Sequence, residues 1–555
     1  MGLLRSSRAG GSAADRVPRP VPGGGHRADG EPRGHRADPP APRSRAVNFA
    51  DRLLAGRNGA RPALITLDAE HSYGQLSAAV SSAAMFLLEN GAGHGECVGI
   101  VAENSFFWVA AYLGSMRAGC VAVPVSPGLT AGDCRAIVDQ TRMRFAFVET
   151  RMAAACARWF TRPTHVVLDQ PGPVSFQGAS VATLPECATR AVEAPSRGGG
   201  DDLAALLFSS GSTGKPRGVM LSHRNFIANT SSIVAVIGLT ERDRAMAVLP
   251  FHYSFGASVL QTHLAVGGTV VIDKRFLFPD KVLQRMIETR CTGFAGVPSH
   301  YQILLRKSCF KQMEFPDLRW LQQAGGKLQA PFVRELREAK PSVRLYLMYG
   351  ATEATARLSI LDPDEVDARP ASIGKGIPGV TLRIVDEQGR PVAPGEMGEI
   401  VAEGENVARG YFQDPVETAA TFRDGRLHTG DLATIDRQGY VTVLGRAKSF
   451  LKCGGTRMSA ERFEEALLAF PDIVEAAVIG VPDEVMGEAP AAFVVARDPA
   501  DVTVADRLGE FASANLPIAL RPKLIEVVPE LPKSAAGKVQ RIKLHERLRP
   551  RQDAA

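Results

Sequence analysis

The sequence predicts an α/β protein with a large N-terminal domain that contains parallel sheets and a small α+β C-terminal domain. Up to about residue 348, short apolar runs alternate with segments whose apolar side chains recur every three or four residues, the pattern of strands alternating with helices. Beyond Ile373 the chain is rich in short strands and turns, and a compact mixed segment follows residue 449. The length of 555 residues also exceeds what one hydrophobic core covers, about 250–300 residues.

The N-terminal region supplies the alternating elements. A helix is predicted after Ser72, because Leu76, Val80 and Leu87 recur at helical spacing, and a second helix is predicted at 106–117. The predicted strands are Cys97–Val101, Cys120–Val125, Ala204–Phe208, Ala245–Leu249, Thr269–Ile272 and Leu345–Met348. Such alternation implies parallel sheets with helices on their faces.

The second half of the chain predicts strands at Val380–Val385, Gly398–Ala402, Leu432–Ile435 and Tyr440–Leu444. The final segment predicts helices near Ala460–Ala469 and Val504–Asn515, with strands at Ile473–Val478, Ala491–Val495 and Lys523–Val528. We therefore divide the chain into a tail (1–47), an N-terminal domain (48–445), a hinge (446–449), a C-terminal domain (450–548) and a second tail (549–555).

Composition excludes several classes of protein. Residues 1–47 carry nine arginines against four acidic residues and almost no large apolar side chains, so we expect disorder there. This tail accounts for +5 of the net charge of +6, and the remainder has no electrostatic footprint for nucleic acid. No apolar run reaches the ~18 residues of a membrane helix. The eight cysteines form no CxxC pair, which argues against a zinc cluster or disulfide framework and favours a reducing, cytoplasmic location.

The strongest chemical signal is the loop 208–219, with the sequence FSSGSTGKPRGV. Its small residues allow backbone N–H groups to approach an anion, and its hydroxyls and the cations of Lys215 and Arg217 add donors. It is not a Walker A loop, because two rather than four residues separate its glycines and Pro216 follows the lysine. The loop predicts a polyphosphate site, with a flexible surface loop as the alternative.

This loop resembles the phosphate-binding signature of the superfamily of acyl-CoA synthetases, nonribosomal peptide adenylation domains and luciferases. Further motifs follow in the superfamily's order: Tyr349-Gly350-Ala351-Thr352-Glu353 for the nucleotide, His428-Thr429-Gly430-Asp431 for the ribose, Gly445 through Lys452 for the hinge, and Pro532 through Lys538 for the C-terminal lysine loop. The chain is identified as a member, most like an AMP-forming acyl-CoA ligase. The resemblance implies a β-barrel-like part and a mobile C-terminal domain.

The resemblance implies binding sites for ATP, Mg2+ and coenzyme A. The implied binding residues are Ser209, Ser210, Gly211, Ser212, Thr213, Gly214 and Lys215 in the phosphate loop, Gly325, Gly326 and Lys327 beside adenine and the acyl group, Tyr349, Gly350, Asp431 and Arg446 around adenosine, and Lys448, Lys452, Gly454 and Gly455 at the hinge and the pantetheine channel. Tyr349 would stack on adenine, and Asp431 would accept hydrogen bonds from the ribose hydroxyls unless it only caps a helix. Many members have aspartate where Lys448 stands, a position that must rotate rather than react.

The implied catalytic residues are Lys538, Glu353, Thr352 and His252. The Lys538 ammonium would bring the acid carboxylate and the α-phosphate together, because two anions must meet in the transition state. Glu353 would hold the magnesium ion, which favours oxygen ligands, and Thr352 would face the α-phosphate. His252 would close the acid pocket or meet the carboxylate, although a core histidine is the alternative.

The segment 251–256 carries no acidic residue, whereas amino-acid-activating members have an aspartate there. Small residues at Ala257, Gly296 and Gly325 beside Phe255 and Tyr301 imply an apolar slot for a fatty or aryl acid, and we favour a medium or long fatty acid. Coenzyme A is the expected acceptor, with a separate carrier protein as an alternative. A non-catalytic nucleotide-binding scaffold and, remotely, a luciferase-type oxygenase are the other possibilities.

We expect Lys538→Ala to abolish formation of acyl-AMP while conversion of supplied acyl-AMP to thioester continues, because the lysine serves only the first step. The measurement is pyrophosphate release alongside thioester formation from synthetic acyl-AMP. An equal loss of both steps in a folded variant would contradict this division.

Overall fold

The computed structural model describes residues 47–160, 163–184, 193–210, 216–446, 450–453, 456–483, 487–516, 521–533 and 539–548. The predicted disordered tail, apart from Val47, and the C-terminal tail lie outside these residues. Of the helices in the described ranges, none has both the length and the apolar character to cross a membrane.

One sheet combines a parallel centre with antiparallel edges. Its strands lie in the spatial order Lys375–Gly376, Ser359–Ile360, Arg344–Tyr349, Trp320–Gln323, Gly293–Gly296, Arg244–Ala247, Thr269–Ile272, Pro62–Ile65 and Glu70–Ser72. The pairs from 344–349 through 62–65 are parallel, and the outer pairs are antiparallel. The carboxyl ends of the parallel strands therefore share one edge, where ligands bind in open α/β sheets.

A second sheet is parallel except at one edge. Its order is Ser180–Thr183, His165–Leu168, Phe145–Val148, Cys97–Val101, Val121–Pro124, Leu203–Ser210 and Pro216–Ser222. The last two strands are antiparallel, with Ser210 opposite Pro216 and Ser209 opposite Arg217. The two strands that flank the phosphate loop are therefore neighbours, and residues 211–215 lie outside the described residues.

The remaining sheets belong to the second half of the chain. An antiparallel sheet contains Val380–Val385, Gly398–Gly404, Arg426–Ile435 and Phe422–Arg423, with Val441–Arg446 paired to 426–435. It occupies the place of the predicted β-barrel-like part. The C-terminal sheet contains Thr456–Ser459, Phe450–Cys453, Gly487–Ala496 and Ile473–Asp483, with Leu524–Val527 parallel to 487–496.

The helices cover the faces of these sheets. They are Phe49–Leu54, Tyr73–Glu89, Phe106–Arg117, Ala131–Thr141, Thr150–Cys156, His223–Ile237, Ser254–Val266, Pro279–Glu288, Pro298–Lys307, Ala330–Ala339, Pro415–Thr421, Ala460–Leu468, Val504–Asn515 and Arg541–Leu548, with 3-10 turns at Thr352–Ala354 and Pro363–Glu365. The helix 73–89 begins directly after Ser72, which caps it. The Ser72 hydroxyl accepts the N–H of Gln75, and the Gln75 side chain accepts the N–H of Ser72.

The predicted alternation of helices and strands is confirmed. Helices 106–117 and 504–515 and strands 97–101, 269–272 and 380–385 have the predicted bounds. The strand predicted at 432–435 is longer, because 426–435 pairs with strands on both sides. The predicted boundary lies between strand ends at Arg446 and Phe450, and the hinge residues 447–449 lie outside the described residues.

Asp243 fastens the amino ends of neighbouring strands, at the edge opposite the predicted site. Its side chain is fully buried. One carboxylate oxygen accepts hydrogen bonds from Thr292 Oγ1 and Arg319 Nη1, both at 2.9 Å, and the other accepts the N–H of Thr240 at 2.8 Å. Because Asp243, Thr292 and Arg319 directly precede or lie beside the starts of three parallel strands, these bonds fix the strands relative to one another.

The pKa of Asp243 reflects the same contacts. Burial alone would raise it, but the N–H of Thr240, the hydroxyl of Thr292 and the charge of Arg319 together hold the pKa of this carboxyl below its usual value. The carboxylate therefore stabilises the fold at neutral pH.

We expect Asp243→Asn to lower the free energy of unfolding at pH 7 by about 1–3 kcal/mol, because a buried charged acceptor is lost. Since the folded-state pKa is depressed, the stabilisation is present above the unfolded pKa and is lost as the pH falls through the folded pKa. Urea unfolding should therefore show the two proteins converging below about pH 4. The exposed Asp364→Asn is the matched control, and a difference that is independent of pH would contradict the assignment.

Candidate active site

The candidate site begins where the strand 344–349 ends. The hydroxyl of Tyr349 donates to Asp431 Oδ2 at 2.6 Å, and Arg446 Nε donates to Asp431 Oδ1 at 3.0 Å. Asp431 and Arg446 face each other on paired strands of the antiparallel sheet. One carboxylate therefore joins the end of the parallel sheet to the last strand before the hinge.

The electrostatics of this contact follow from burial. Asp431 is 8% exposed, and burial together with its negative charge raises the pKa of Tyr349 well above the ordinary value. The same negative charge raises the pKa of Arg446. Because each carboxylate oxygen has two lone pairs, both oxygens of Asp431 can still accept a hydroxyl. This fits the predicted ribose contact.

The turn before Asp431 is held by a residue that the sequence did not indicate. Glu399 Oε2 lies 2.9 Å from His428 Nδ1, and Glu399 Oε1 accepts the N–H of Gly430 at 2.9 Å. The Thr429 hydroxyl accepts the N–H of Asp431 at 3.1 Å. These hydrogen bonds fix the turn His428–Asp431 and orient the Asp431 side chain. The pairing of strands 398–404 and 426–435 places Glu399 there, and no local pattern marks it.

Glu353 lies in the 3-10 turn 352–354, and Glu353 Oε1 accepts the hydroxyl of Tyr411 at 2.9 Å. Burial and then the charge of Glu353 raise the pKa of Tyr411. The Arg217 guanidinium lies 5.7 Å from the Tyr411 ring and pairs with Glu417 at 2.9 Å. The phenol of Tyr411, also missed at the sequence level, therefore orients the candidate magnesium carboxylate.

The nucleotide motif directly contacts the segment 251–256, which the sequence connects with the acid. The Thr352 hydroxyl is hydrogen-bonded to Ser254 Oγ at 3.3 Å, and Ser254 begins the helix 254–266. The buried Asn104 fixes the preceding residues, because its amide donates to the Leu249 carbonyl and its oxygen accepts the N–H of Phe251. Asn104 therefore positions the segment that the sequence connected with the acid.

His252 lies in that segment and is half-buried. Burial lowers the pKa of His252 to about 4, so the ring is neutral at neutral pH. Within the described part of the chain, its buried Nε2 atom has no hydrogen-bond partner. His252 is therefore available as a neutral hydrogen-bonding group rather than as a cation.

Glycine is required at two predicted positions. Gly325 has a φ of +85°, in the left-handed region. At Gly350, a Cβ atom would lie 1.8 Å from the Ala356 carbonyl oxygen, so the chain could not pass there with any larger residue. Gly326 follows Gly325, and its carbonyl accepts the Gln323 amide at 2.7 Å. Gly350 therefore lets the loop after the strand 344–349 fold back tightly on itself, and Gly325 supplies a left-handed turn after the strand 320–323.

Lys327 reaches the C-terminal domain. Its ammonium lies 3.2 Å from Glu465, on the helix 460–468. The helix 298–307 also contacts the C-terminal strand 473–483. Within that domain Lys533 pairs with Glu475 at 2.6 Å. Burial, and then the charge of Lys533, lower the pKa of His300 to about 4. Lys533, near the start of the lysine loop 532–538, is therefore close enough to the start of the helix 298–307 to act on His300.

Several predicted residues are described in part or not at all. Lys452 belongs to the strand 450–453, where its backbone lies opposite that of Arg457 on the neighbouring strand. Ser209 and Ser210 end the strand 203–210. The predicted residues that lie outside the described residues are Gly211, Ser212, Thr213, Gly214, Lys215, Lys448, Gly454, Gly455 and Lys538.

Two of the residues predicted to line the acid slot, Phe255 and Ala257, lie on the helix 254–266. The apolar gap beside this helix is too small to hold a water molecule; it is lined by Met246, Ala247, Leu249, Gly256, Val259 and Ala295. Phe255 packs in the apolar cluster that also contains Leu249, Val259 and Ala295. Tyr301 is fully buried, and its hydroxyl donates to the Gln322 carbonyl at 2.7 Å, so Tyr301 supports the neighbouring strands.

Known proteins resemble this chain in both amino-acid sequence and fold. Residues 53–412 match the family described as AMP-binding enzyme, and residues 462–538 match the AMP-binding enzyme C-terminal domain. The chain belongs to the AMP-binding enzymes. Among the relatives of this AMP-binding enzyme, a 3-hydroxybenzoate–CoA ligase from Aromatoleum sp. (strain CIB) is 30% identical, covering 91% of this chain and 97% of the relative. An oxalate–CoA ligase from Arabidopsis thaliana is 30% identical, covering 80% and 87%.

The fold of the enzyme agrees with solved structures. A crystal structure of an anthranilate CoA ligase in complex with anthranoyl-AMP matches with a TM-score of 0.83 and 28% identity, covering 90% of this chain and 97% of that one. The predicted fold class, and the enzyme class of AMP-forming acyl-CoA synthetase with ATP and coenzyme A as co-substrates, are confirmed. These relatives do not support a carrier-protein partner.

We expect Tyr349→Phe to raise the KM for ATP about fivefold, the equivalent of roughly 1 kcal/mol for one hydrogen bond, while stacking on adenine is kept. Without the phenol, Asp431 loses the donor that orients it toward the ribose. The measurement is initial-rate pyrophosphate release at varied ATP, with Tyr440→Phe, whose ring packs against Arg369, as the control. An unchanged KM for ATP, or an equal rise in the control, would contradict this role.

Proposed function

We propose that the enzyme activates a carboxylic acid with a compact apolar body as acyl-AMP and transfers the acyl group to coenzyme A. The observation that carries this proposal is the shared carboxylate Asp431, bonded to Tyr349 and Arg446, with the Thr352–Ser254 contact joining the nucleotide motif to the acid segment. A ribose site and an acid site at the same sheet edge favour a reaction between nucleotide and acid.

In the first half-reaction an oxygen of the acid carboxylate attacks the α-phosphorus of ATP. The bond between the α-phosphorus and its bridging oxygen breaks, and pyrophosphate leaves. Lys538 would bridge the two anions, since charge that develops between them is stabilised by a positioned cation. The proximity of Lys533 to His300 supports this proposal, because Lys533 and Lys538 belong to the same loop.

In the second half-reaction the sulfur of coenzyme A attacks the acyl carbonyl carbon. The carbon–oxygen bond to AMP breaks, AMP leaves with that oxygen, and the thiol proton is lost to solvent. We propose that the C-terminal domain rotates about Lys448, which withdraws Lys538 and brings Lys452, Gly454 and Gly455 to the pantetheine channel. Breaking the Lys327–Glu465 ion pair would accompany that rotation.

Magnesium is part of the proposal, and the donors present fit it. Glu353 offers a carboxylate whose Oε1 atom is oriented by Tyr411. Within the described ranges, no group of three histidine, cysteine or acidic side chains is placed to hold a metal. This donor set suits an ion that is held by one carboxylate and by substrate phosphates. The ion would offset phosphate charge.

The acid is proposed to be aromatic rather than a long fatty acid. Tyr301, which the sequence placed in the slot, is fully buried with its hydroxyl engaged. Relatives of this chain are named for 3-hydroxybenzoate and anthranilate. These names favour a ring over a long chain.

The test is acid-dependent pyrophosphate release across benzoates, medium and long fatty acids, aromatic and aliphatic dicarboxylic acids, and amino acids, with and without coenzyme A. We expect aromatic acids to exceed amino acids at least tenfold in kcat/KM, and acyl-CoA to form only when coenzyme A is present. Glu353→Gln is the matched control and should lose release with every acid.

Absence of release with every acid would support a non-catalytic scaffold. Release without thioester formation on coenzyme A would favour a separate carrier protein as acceptor. A preference for long fatty acids would overturn the aromatic assignment while leaving the reaction in place.

A further inference from the structure

A buried arginine follows the nucleotide motif by four residues. Arg357 is 1% exposed and ranks among the largest fully buried side chains of the described residues. Its Nε atom donates to Met348 Sδ at 3.1 Å, and its guanidinium lies over the Phe255 ring, 4.0 Å from the ring centre. Its buried Nη2 atom has no hydrogen-bond partner in the described part of the chain.

Among the described residues, no carboxylate forms an ion pair with this guanidinium. Burial alone lowers the pKa of Arg357 to about 9. The group is therefore still charged at neutral pH. By contrast, Arg117, which is also buried, pairs with Asp51 and Glu193. An unpaired buried charge is strongly destabilising, so its retention at Arg357 points to a partner supplied from outside the protein.

Arg357 lies beside the segment that the sequence connects with the acid. Phe255 and Met348, the two side chains it contacts, belong to the same apolar cluster as Leu249 and Val259. Phe255 also follows Ser254, the residue bonded to Thr352. The guanidinium therefore packs against the segment 251–256, next to the residue that contacts the nucleotide motif.

The backbone at Arg357 is fixed. Its carbonyl accepts the amides of Asn229 at 2.8 Å and Asn406 at 2.9 Å, and its N–H donates to Asn229 Oδ1 at 3.3 Å. All three residues are buried. A side chain on such a support needs little ordering when a ligand binds, which favours selective recognition.

We propose that the substrate is a dicarboxylic acid, whose second carboxylate pairs with Arg357 while the first is adenylated. The inference rests on the proposed function and deepens it by naming the substrate class. A guanidinium presents paired donors that match a carboxylate. A carboxylate bound against Arg357, away from water, would neutralise the charge of its guanidinium. A neutral acid would leave the charge buried and unpaired.

The test compares matched acids that differ by one carboxylate. Wild-type enzyme and Arg357→Met are assayed for pyrophosphate release with benzoate against phthalate, isophthalate and terephthalate, and with heptanoate against pimelate. We expect wild type to favour at least one diacid over its monoacid at least tenfold in kcat/KM. In Arg357→Met this ratio should fall at least tenfold through a higher KM for the diacid, with the KM for ATP kept.

Two further variants separate recognition from structure. Arg357→Lys keeps the charge and should retain part of the preference, whereas Arg344→Met, on the exposed start of the strand 344–349, should leave the ratio unchanged. The melting temperature of Arg357→Met should equal or exceed that of wild type, since an unpaired buried charge is removed without opening a cavity. A fall in melting temperature, with an equal loss for all acids, would show a purely structural role and overturn the inference.

The remaining outcomes are also decisive. Release with monoacids as good as or better than with diacids would overturn the inference and leave the proposed function standing. If no acid supported release, the proposed function would fail, and calorimetric titration of isophthalate and benzoate into enzyme with a non-hydrolysable ATP analogue would decide on Arg357. Selective diacid binding that Arg357→Met abolishes would support the inference, and its absence would overturn it.

Discussion

The Asp431 carboxylate is the contact on which the site depends. It receives hydrogen bonds from Tyr349, at the end of the parallel sheet, and from Arg446, on the last antiparallel strand before the hinge. Because this carboxylate is nearly buried, the two donors are worth more than they would be in water, and removing either would leave charge poorly paired. One side chain thus fixes the relative position of two sheets and of the point at which the C-terminal domain begins.

The opposite edge of the parallel sheet serves stability rather than chemistry. Asp243 binds Thr292 and Arg319 where the strands begin, which leaves the carboxyl ends free to carry loops. The glycines of those loops, Gly325 and Gly350, allow close backbone approaches that larger residues would block. The hydrogen bonds at the strand starts hold the strands in fixed positions. The binding residues on the loops at the strand ends are therefore also held in fixed positions.

Most elements of the fold could be predicted from the sequence, because buried parallel strands are continuous apolar runs and their helices have a clear period. The motifs likewise identified Asp431, Tyr349, Thr352 and Glu353. What the sequence could not indicate were the side chains that orient these groups. Glu399, Tyr411 and Asn104 lie 31, 58 and 147 positions away from the residues that they hold at Gly430, Glu353 and Phe251. Strand pairing in three dimensions brings them there, and a single sequence carries no record of it.

The nine residues from Tyr349 to Arg357 contain groups proposed for two different tasks, which are binding of the nucleotide and recognition of the acid. In the proposed reaction, Tyr349, Thr352 and Glu353 would serve the nucleotide, which is common to all substrates, whereas Arg357 would pair with the acid. Gly350 packs against the Ala356 carbonyl, so the two ends of this segment are in contact. A shift of the backbone at one end would therefore shift the other end. An acid that pairs with Arg357 would therefore also secure the position of Thr352 and Glu353, so that recognition of the acid and placement of the phosphates are mechanically coupled through one short turn.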